Sequence, residues 1–401
     1  MTKCTKCGQV EHIIRSGFVR GRQRFYCKEC ELYFSINLTN SPVIKKNYQT
    51  TLVDIAKILG VSPSTVSRAL NNSSDINENT RKEIIRIADE LDYHPNLLAQ
   101  SLHRGETHTI GVVIPDIQRP FFAGVLAGIQ KVASLAGYRV MICQSNESHS
   151  TEILNVQALV ASRVDGLLIS HSMETNTFDH LKLQIKKGLP IVHFDRVCDE
   201  LETAKVIQQD FEGSFALVEH LIQQGCRRIA ACAGPKDLLI SQKRLDGYFA
   251  ALKKHKIPID QNLIFHGNFR KEDSIEALSA WLDLSKKPDG IFTVHYENAI
   301  EMMVELKQKD IKIPKEIKIV AFGDDLLASL FEPSLTVFNQ FPYVVGQEAA
   351  TILIDNIINK DTFQPFTKII NGELIIRQSS MRNEKQSTNR TDPIPSVAIS
   401  L

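Results

Sequence analysis

Short apolar runs of strand length alternate with amphipathic stretches from residue 108 onward. The runs are HTIGVVIP, YRVMICQ, DGLLIS, PIVHFD, RIAACAG, LIFHG, DGIFTVH and IKIVAFG. The stretches with helical spacing are Phe121–Ala136, Thr151–Ser162, Gly213–Gln224, Gln242–His255 and Glu297–Lys307. Continuous apolar strands that alternate with helices are typical of parallel sheets covered by helices on both faces. The length of this region predicts two such α/β lobes.

Three shorter amphipathic stretches predict an all-α unit over residues 50–94. Thr51 can cap a first helix over Leu52–Leu59, and Pro63 suits the first turn of a second helix that reaches Leu70. The second helix leaves short hydrogen-bonding side chains outside, as a recognition helix in the DNA major groove requires. The candidate DNA-binding residues are Ser62, Ser64, Thr65, Ser67, Arg68 and Asn71. The alternative is a helical pair used for protein docking.

Four of the eight cysteines form two CxxC pairs near the N-terminus. Cys4 and Cys7 precede Cys27 and Cys30, and each pair can place two thiolates on one tight turn. Two such pairs complete a tetrahedral Cys4 shell that suits Zn²⁺, and residues 1–36 are too short to fold without it. The sequence therefore predicts a zinc ribbon, with four unligated surface thiols as the alternative. The other four cysteines lack ligand spacing and are predicted to be core thiols.

The N-terminal segment is basic. Residues 1–48 carry nine Lys or Arg against three Glu, a net charge of +6, so the remaining chain carries −5 of the total of +1. Arg22 and Arg24 lie beside Phe25 and Tyr26, a composition typical of nucleic-acid surfaces. The run GRQRFYCKEC resembles the zinc ribbon of insertion-sequence transposases. This resemblance favours DNA contact by Arg22 and Arg24, and the alternative is a solvated cationic face on a structural or protein-docking ribbon.

Overall composition fits a water-soluble protein of two or three domains. The 401 residues are 43% apolar and 23% charged. No apolar run reaches the length of about 20 residues that a membrane span requires, and the N-terminus lacks a secretory segment. We therefore expect a cytoplasmic protein with reduced cysteines. The sequence contains no phosphate-binding loop, nucleophile elbow or His/Glu metal pair, so an enzyme is disfavoured.

The stretch TLVDIAKILGVSPSTVSRALNN resembles the helix-turn-helix of the LacI repressor family, and the similarity continues through Tyr93-His94-Pro95-Asn96 and the α/β region. The resemblance implies a DNA-binding transcriptional regulator whose affinity for its operator is controlled by a small molecule, for which a sugar or related metabolite is the expected class. It also implies a homodimer on a pseudo-palindromic operator, because the hinge helices of two chains must pair.

The resemblance implies a hinge helix over residues 95–106. In the family, the leucine that matches Leu102 inserts into the minor groove and kinks the DNA, an apolar-wedge mechanism. A helix of two turns is marginal in water, so its formation would be coupled to DNA binding. The alternative is a linker that happens to be helical.

The α/β region resembles the two-lobed periplasmic sugar-binding fold, in which the ligand lies between the lobes at the carboxyl ends of strands. These positions are the basis for six candidate effector-binding residues: Phe121, Asp195, Arg196, Arg244, His295 and Asp324. Alternatives are a core position for Phe121, a lobe-to-lobe ion pair for Asp195-Arg196, a solvated helix face for Arg244 and a helix cap for Asp324. His295-Tyr296 stand where the family usually has Asn-Asp.

The predicted architecture is therefore multidomain: a small zinc ribbon, an all-α helix-turn-helix headpiece, and a two-lobed α/β sensor like periplasmic binding proteins. The predicted segments are the ribbon (1–36), a linker (37–49), the helix-turn-helix (50–94), the hinge (95–106), the sensor (107–382) and a disordered tail (383–401). The first lobe is predicted to comprise about 107–207 and 340–368, and the second lobe about 208–339 and 369–382.

Overall fold

The computed structural model describes residues 3–4, 6–8, 10–19, 22–35, 50–93 and 106–381. The predicted linker and tail, as well as Leu102 and the rest of the predicted hinge up to residue 105, lie outside the described residues. The chain divides into two compact units, Met1–His103 and Arg104–Leu401. Among the described residues, no helix combines the length and apolar character needed to cross a bilayer.

The N-terminal segment contains a small antiparallel sheet in the order β1-β2-β3. Its strands are β1 (Ile13–Val19), β2 (Arg22–Cys27) and β3 (Leu32–Ser35). Phe25 and Phe34 are paired across β2 and β3 and are buried together with Cys4 and Cys27. This core is too small to be stable by apolar burial alone.

Residues 50–93 form three helices around a compact apolar core, as the apolar spacing predicts. The helices are α1 (Leu52–Leu59), α2 (Pro63–Leu70) and α3 (Glu78–Glu90). Thr51 caps α1 in a capping box with Asp54, and Gly60 ends it in the left-handed conformation with φ 64°. The fully buried core members are Ile55, Val66, Ala69 and Ile84.

Residues 106–381 form two α/β lobes, each built on one six-stranded sheet. The first sheet is parallel in the order β14-β8-β7-β6-β4-β5, and the second has the order β10-β9-β11-β12-β13-β15, in which only β15 is antiparallel. The strands of the first sheet are β4 (Thr109–Ile114), β5 (Arg139–Gln144), β6 (Gly166–Ile169), β7 (Ile191–Phe194), β8 (Ala204–Gln208) and β14 (Thr367–Ile370). The strands of the second are β9 (Ile229–Ala233), β10 (Ile264–His266), β11 (Gly290–Thr293), β12 (Lys318–Phe322), β13 (Thr336–Asn339) and β15 (Glu373–Ile375).

Helices flank each sheet. Those of the first lobe are α4 (Pro120–Leu135), α5 (His149–Ala161), α6 (Asp179–Lys186) and α12 (Pro342–Ile358). Those of the second lobe are α7 (Asp210–Gln223), α8 (Leu239–Lys254), α9 (Lys271–Leu282), α10 (Tyr296–Gln308) and α11 (Leu326–Leu330). Gly128 and Gly346 permit α4 and α12 to pack closely, since a Cβ at Gly128 would lie 2.1 Å from the Tyr343 carbonyl oxygen.

The chain passes between the lobes three times, after β8, after β13 and after β14. The third passage follows Ile370, so the lobe boundary predicted at 368 would cut through β14. Strands β8, β13, β14 and β15 are short and were not among the predicted apolar runs. Because the chain changes sheets at these strands, the carboxyl ends of both sheets border one cleft.

Candidate functional site

The four cysteine thiols of the two CxxC pairs converge. All four Sγ atoms lie within 4.8 Å of one another, with Cys4–Cys30 at 3.6 Å, Cys7–Cys27 at 3.7 Å and Cys27–Cys30 at 3.5 Å. A tetrahedral Zn²⁺ site with Zn–S bonds of about 2.3 Å has S–S separations of about 3.8 Å. The donor set and its spacing therefore fit one tetrahedral metal ion. This is the only such group of metal-binding side chains within the described part of the chain.

The second helix of the headpiece presents the predicted polar residues. Ser62 caps α2 by accepting a hydrogen bond from the Thr65 backbone N–H at 3.1 Å, and its hydroxyl also lies 2.7 Å from that of Ser64. Arg68 donates to Asp75 at 2.7 Å with both side chains half exposed. Asn71 ends the helix, and its side chain donates to the Ser67 carbonyl oxygen at 2.9 Å.

Val66 and Ala69 are buried on one side of α2, so the other side, which carries the polar residues, faces solvent. Ser62, Ser64, Arg68 and Asn71 are exposed, and Thr65 and Ser67 are partly exposed. In the ribbon, Arg22 lies at the start of β2, and the guanidinium of Arg24 lies 4.2 Å from the ring centroid of Tyr33.

A cleft between the two α/β lobes contains all six candidate effector residues. The cavity spans about 640 Å³ including its open mouth. Its walls include Phe121, Asp195, Arg196, Arg244, His295 and Asp324, together with Arg119, Phe122, Phe269, Tyr296, Glu297, Phe322 and Gln340. Their common location follows from the topology, because these residues follow or face the carboxyl ends of strands in the two sheets.

Arg196 is held within the first lobe and makes no lobe-to-lobe ion pair among the described residues. Its guanidinium donates to both carboxylate oxygens of Glu147, at 2.6 and 2.9 Å, and to the His171 carbonyl oxygen at 3.3 Å. Arg119 lies 3.3 Å from the same carboxylate. Burial raises the pKa of Glu147, but Arg196 and Arg119 outweigh burial and hold that pKa below its ordinary value. Asp116 is a second carboxylate near Arg119, 3.9 Å from its Nε, so both cationic groups of the first-lobe wall have carboxylate partners within the protein.

Asp195 lies in the cavity wall with its carboxyl buried. The residue is 4% exposed and has φ 61°, the left-handed region that most side chains avoid. Its carboxyl has no hydrogen bond or ion pair within the described part of the chain, and burial raises its pKa to about 6 although Arg196 and Arg244 lower it. A buried carboxyl costs free energy unless it is paired. Asp195 is therefore a ready acceptor for a ligand hydroxyl or amide.

Arg244 belongs to a buried network in the second lobe and does not lie on a solvated helix face. Its Nε donates to Asp210 at 2.7 Å, its Nη1 donates to the Val294 carbonyl oxygen at 2.8 Å, and its guanidinium lies 3.9 Å from the Phe322 ring centroid. Burial raises the pKa of Asp210, and Arg244 opposes that rise only in part.

His295 brings an unpaired ring nitrogen to the same cavity. Its Nδ1 is buried without a hydrogen bond within the described residues, and the nearest carboxylate oxygen, of Glu297, is 3.8 Å away. Its ring lies 5.0 Å from the ring of Phe269. Burial, together with Arg119 and Arg244, holds the pKa of His295 well below its usual range, so the imidazole is neutral.

Asp324 lines the cavity, but its carboxylate is engaged by the protein. Arg377 donates to its two oxygens at 2.9 and 3.0 Å. The residue at the N-cap position of α11 is Asp325, which accepts a hydrogen bond from the Tyr296 hydroxyl at 3.5 Å. Gly323, with φ 101°, separates the strand from these acids.

Cavity residues outside the six candidates include Arg119 and Phe269, and Glu147, which pairs with two arginines of the cavity wall, was also missed. Glu147 and Arg119 follow the carboxyl ends of β5 and β4, where the search for strand ends could have found them. Phe269 lies in the loop after β10, has φ 59°, and packs against Gly234, where an added Cβ would lie 2.3 Å from its ring. Phe269 lies two residues after the predicted run LIFHG, so the position of a strand end was also the signal that pointed to it.

Comparison with known proteins matches most of the chain. Residues 107–378 match the model for periplasmic binding proteins and the sugar binding domain of the LacI family, and residues 51–96 match the model for bacterial regulatory proteins of the lacI family. The repressor PurR of Vibrio atlanticus (strain LGP32) is 30% identical over 311 residues, which cover 78% of this chain and 93% of PurR. The repressor CytR of Escherichia coli (strain K12) is 30% identical over 336 residues, covering 84% and 98%.

Two solved structures are also similar to most of this chain. The regulator CelR in complex with cellobiose has a TM-score of 0.63 and 27% identity, covering 82% of this chain and 99% of CelR. The lac repressor dimer bound to operator and the anti-inducer ONPF has a TM-score of 0.73 and covers 84% and 100%, although its 23% identity supports the fold alone. The curated relatives are transcriptional repressors and not enzymes. The chain therefore belongs to the LacI family of transcriptional regulators, DNA-binding proteins that act as dimers under the control of small-molecule effectors.

Proposed function

We propose that this protein is a cytoplasmic repressor whose binding to a pseudo-palindromic operator is controlled by an uncharged, hydroxyl-rich metabolite, a sugar or a nucleoside. The observation that carries the proposal is the Asp195 carboxyl, 4% exposed and without a protein partner among the described residues. A ligand hydroxyl that donates to this carboxyl would remove the cost of its burial. The neutral His295 ring supplies a second hydrogen-bonding group on the opposite lobe.

The charges in the cavity favour an uncharged ligand over a phosphorylated one. Arg196 is paired with Glu147, Arg119 lies between Glu147 and Asp116, and Arg244 is paired with Asp210. A phosphate ester would therefore lose its hydration without gaining an unpaired cation. Phe121, Phe269 and Phe322 add apolar surface on which a sugar ring or a base can pack. Asp324, which is paired with Arg377, contributes less to this site than the sequence suggested.

A titration of DNA binding tests this proposal. Full-length protein bound to operator DNA is titrated with matched pairs of compounds, each a sugar or nucleoside and its phosphate ester. We expect an uncharged member to change operator affinity at least tenfold, and we expect Asp195→Asn to require about tenfold to a hundredfold more of that compound for the same response. A response to the phosphate esters alone would contradict the proposed ligand class. The absence of any operator binding would contradict the proposed function.

In the headpiece, we propose that Ser62, Ser64, Thr65, Ser67, Arg68 and Asn71 contact the operator. They lie on the polar side of α2 or at its ends, opposite its buried side. The Arg68–Asp75 ion pair is half exposed, so little free energy opposes its exchange for a base or phosphate. Arg68→Ala should weaken operator binding by about tenfold, the effect of losing one good contact of about 1–3 kcal/mol. Asp75→Ala, which removes the partner and keeps Arg68, is the matched control and should not weaken it.

We also propose that Cys4, Cys7, Cys27 and Cys30 hold one Zn²⁺. The convergence of their thiols supports this proposal, and four thiolates are a donor set that favours zinc among common metals. Bound zinc would supply folding energy that the small core of Phe25, Phe34 and two cysteines lacks.

A further inference from the structure

The small N-terminal sheet has one buried face and one exposed face. Tyr26 is directly opposite Ile14 on β1 and Tyr33 on β3, so the three side chains share a face. Ile14 is 45% and Tyr33 is 49% exposed. Arg24, two residues before Tyr26, lies on the same face. We call Ile14, Arg24, Tyr26 and Tyr33 the outer ribbon face.

Aromatic packing arranges the outer ribbon face. The rings of Tyr26 and Tyr33 lie 4.7 Å apart, and the Arg24 guanidinium lies 4.2 Å from the Tyr33 ring centroid. A guanidinium stacked on a ring loses less side-chain entropy when it binds an anion, because its orientation is already restricted. Tyrosine hydroxyls and arginine side chains are common contacts to DNA phosphates, and a pair of antiparallel strands can enter a major groove.

Charge identifies the partner of this face. Residues 1–48 carry a net charge of +6, whereas the rest of the chain carries −5. A strongly basic segment on an acidic protein is attracted to a polyanion. The polyanion that this protein holds is operator DNA. The models of the LacI family match residues 51–96 and 107–378, so this segment lies outside the matched ranges.

The segment between the ribbon and the headpiece is long enough for the ribbon to reach DNA that flanks the operator. Residues 36–49 join the ribbon to the headpiece, and a fully extended chain of this length spans at most roughly 50 Å. This distance corresponds to roughly 15 base pairs at about 34 Å per turn of DNA. A segment tethered so closely has an effective local concentration in the millimolar range, so even weak affinity adds to total binding.

We propose that the outer ribbon face binds duplex DNA flanking the operator half-site and gives each subunit a second DNA contact. This inference rests on the proposed operator binding by the headpiece. The ribbon contacts are mainly to phosphates, so they add affinity with little sequence preference. The functional binding site is therefore longer than the segment that the two headpieces cover.

Two DNA probes of different length test the inference. An operator is first selected from random duplexes with the full-length protein. One probe is trimmed to the two half-sites. The other is extended by about 20 base pairs on each side, which is farther than residues 36–49 can reach. Wild-type protein should bind the extended probe at least tenfold more tightly. The double variant Arg24→Gln/Tyr33→Ala should bind both probes with the affinity that wild-type protein has for the trimmed one.

Control variants separate this effect from unfolding and from loss of charge. Zinc content and near-UV circular dichroism report whether the ribbon remains folded. Tyr33→Phe removes only the hydroxyl and should lose part of the gain, so it replaces the double variant if that variant fails to fold. Lys286→Gln removes one exposed charge from the sensor and should keep the full gain.

Three results would overturn the inference. The first is equal affinity of wild-type protein for both probes, and the second is full retention of the gain in a folded double variant. The third is a ribbon-dependent gain that requires single-stranded flanks, which would assign the face to unpaired bases. If wild-type protein did not bind the trimmed probe, this result would instead contradict the proposed function of the headpiece.

Discussion

Arg244 and Asp210 form a buried ion pair beside the interlobe cavity, with the Nε of Arg244 2.7 Å from the Asp210 carboxylate and both side chains no more than 5% exposed. The pair joins α8 to the start of α7, directly after the chain enters the second lobe from β8. Arg244 also donates to the carbonyl oxygen of Val294, the residue before His295. Arg244 therefore positions the second-lobe wall of the cavity, which it also lines.

The first prediction is that Arg244→Ala destabilises the sensor by about 3–5 kcal/mol, because it leaves the buried Asp210 carboxylate without a partner. Denaturant unfolding followed by circular dichroism measures this loss. The double variant Arg244→Met/Asp210→Asn removes both charges and should recover most of the stability. If Arg244→Ala alone unfolds like wild-type protein, the pair contributes little and Arg244 serves mainly the ligand.

The second prediction concerns pH and Asp195. Burial raises the pKa of Asp195 from its ordinary value near 4 to about 6, so the folded protein binds a proton that the unfolded chain has released between these two pH values. The free protein should therefore lose stability as the pH rises from 4 to 6. At pH 7 ionised Asp195 destabilises the fold by about 3 kcal/mol, because each tenfold change in a proton-binding constant corresponds to about 1.36 kcal/mol.

Asp195→Asn removes this destabilisation. At pH 7 the variant should be more stable than wild-type protein without ligand, and the difference should vanish near pH 4. Effector affinity should fall by about tenfold to a hundredfold, because a charged hydrogen bond of about 1.5–3 kcal/mol is lost. Thermal unfolding at several pH values and ligand titration measure the two effects. Identical pH profiles for the two proteins would show that Asp195 has an ordinary pKa.

The sequence predicted the α/β lobes well because long apolar strands and amphipathic helices produce a regular period. The eight predicted runs all correspond to observed strands, and helix ends differ by one to three residues. The strands β8 and β13 escaped detection because polar residues such as Lys205 and Asn339 interrupt their apolar pattern. The chain crosses between the lobes after each of these two strands.

The position of the cavity could be predicted from strand ends, but the ion pairs formed by its residues could not. Arg196 and Glu147 are 49 residues apart, and Asp324 and Arg377 are 53 apart. No local pattern connects such residues, since partner choice depends on side-chain geometry after the sheets form. For the same reason the sequence could not show that the Asp195 carboxyl lacks a partner among the described residues. In the headpiece the cap at Thr51 was predictable because a cap acts within three residues.

The third prediction concerns the metal. Protein purified without chelator should contain about one Zn²⁺ per chain, and Cys27→Ser should contain none, because three ligands bind the ion far more weakly than four. The variant should lose ribbon structure and keep the melting temperature of the sensor, as the two belong to separate compact units. Cys143→Ser, which removes a thiol from the sensor, is the matched control. Metal-free wild-type protein with a folded ribbon would contradict the zinc proposal.

The fourth prediction concerns Leu102, which lies outside the described residues and whose role is implied by the resemblance to the family. Leu102→Ala should weaken binding to the operator far more than binding to random DNA. An inserted leucine stabilises a kinked base step, which costs a few kcal/mol to unstack, whereas phosphate contacts do not depend on the kink. Competition binding at fixed salt, with operator and random duplexes of equal length, measures the ratio of the two affinities. Equal losses on both DNAs would show that Leu102 supports general DNA affinity and does not act as a wedge.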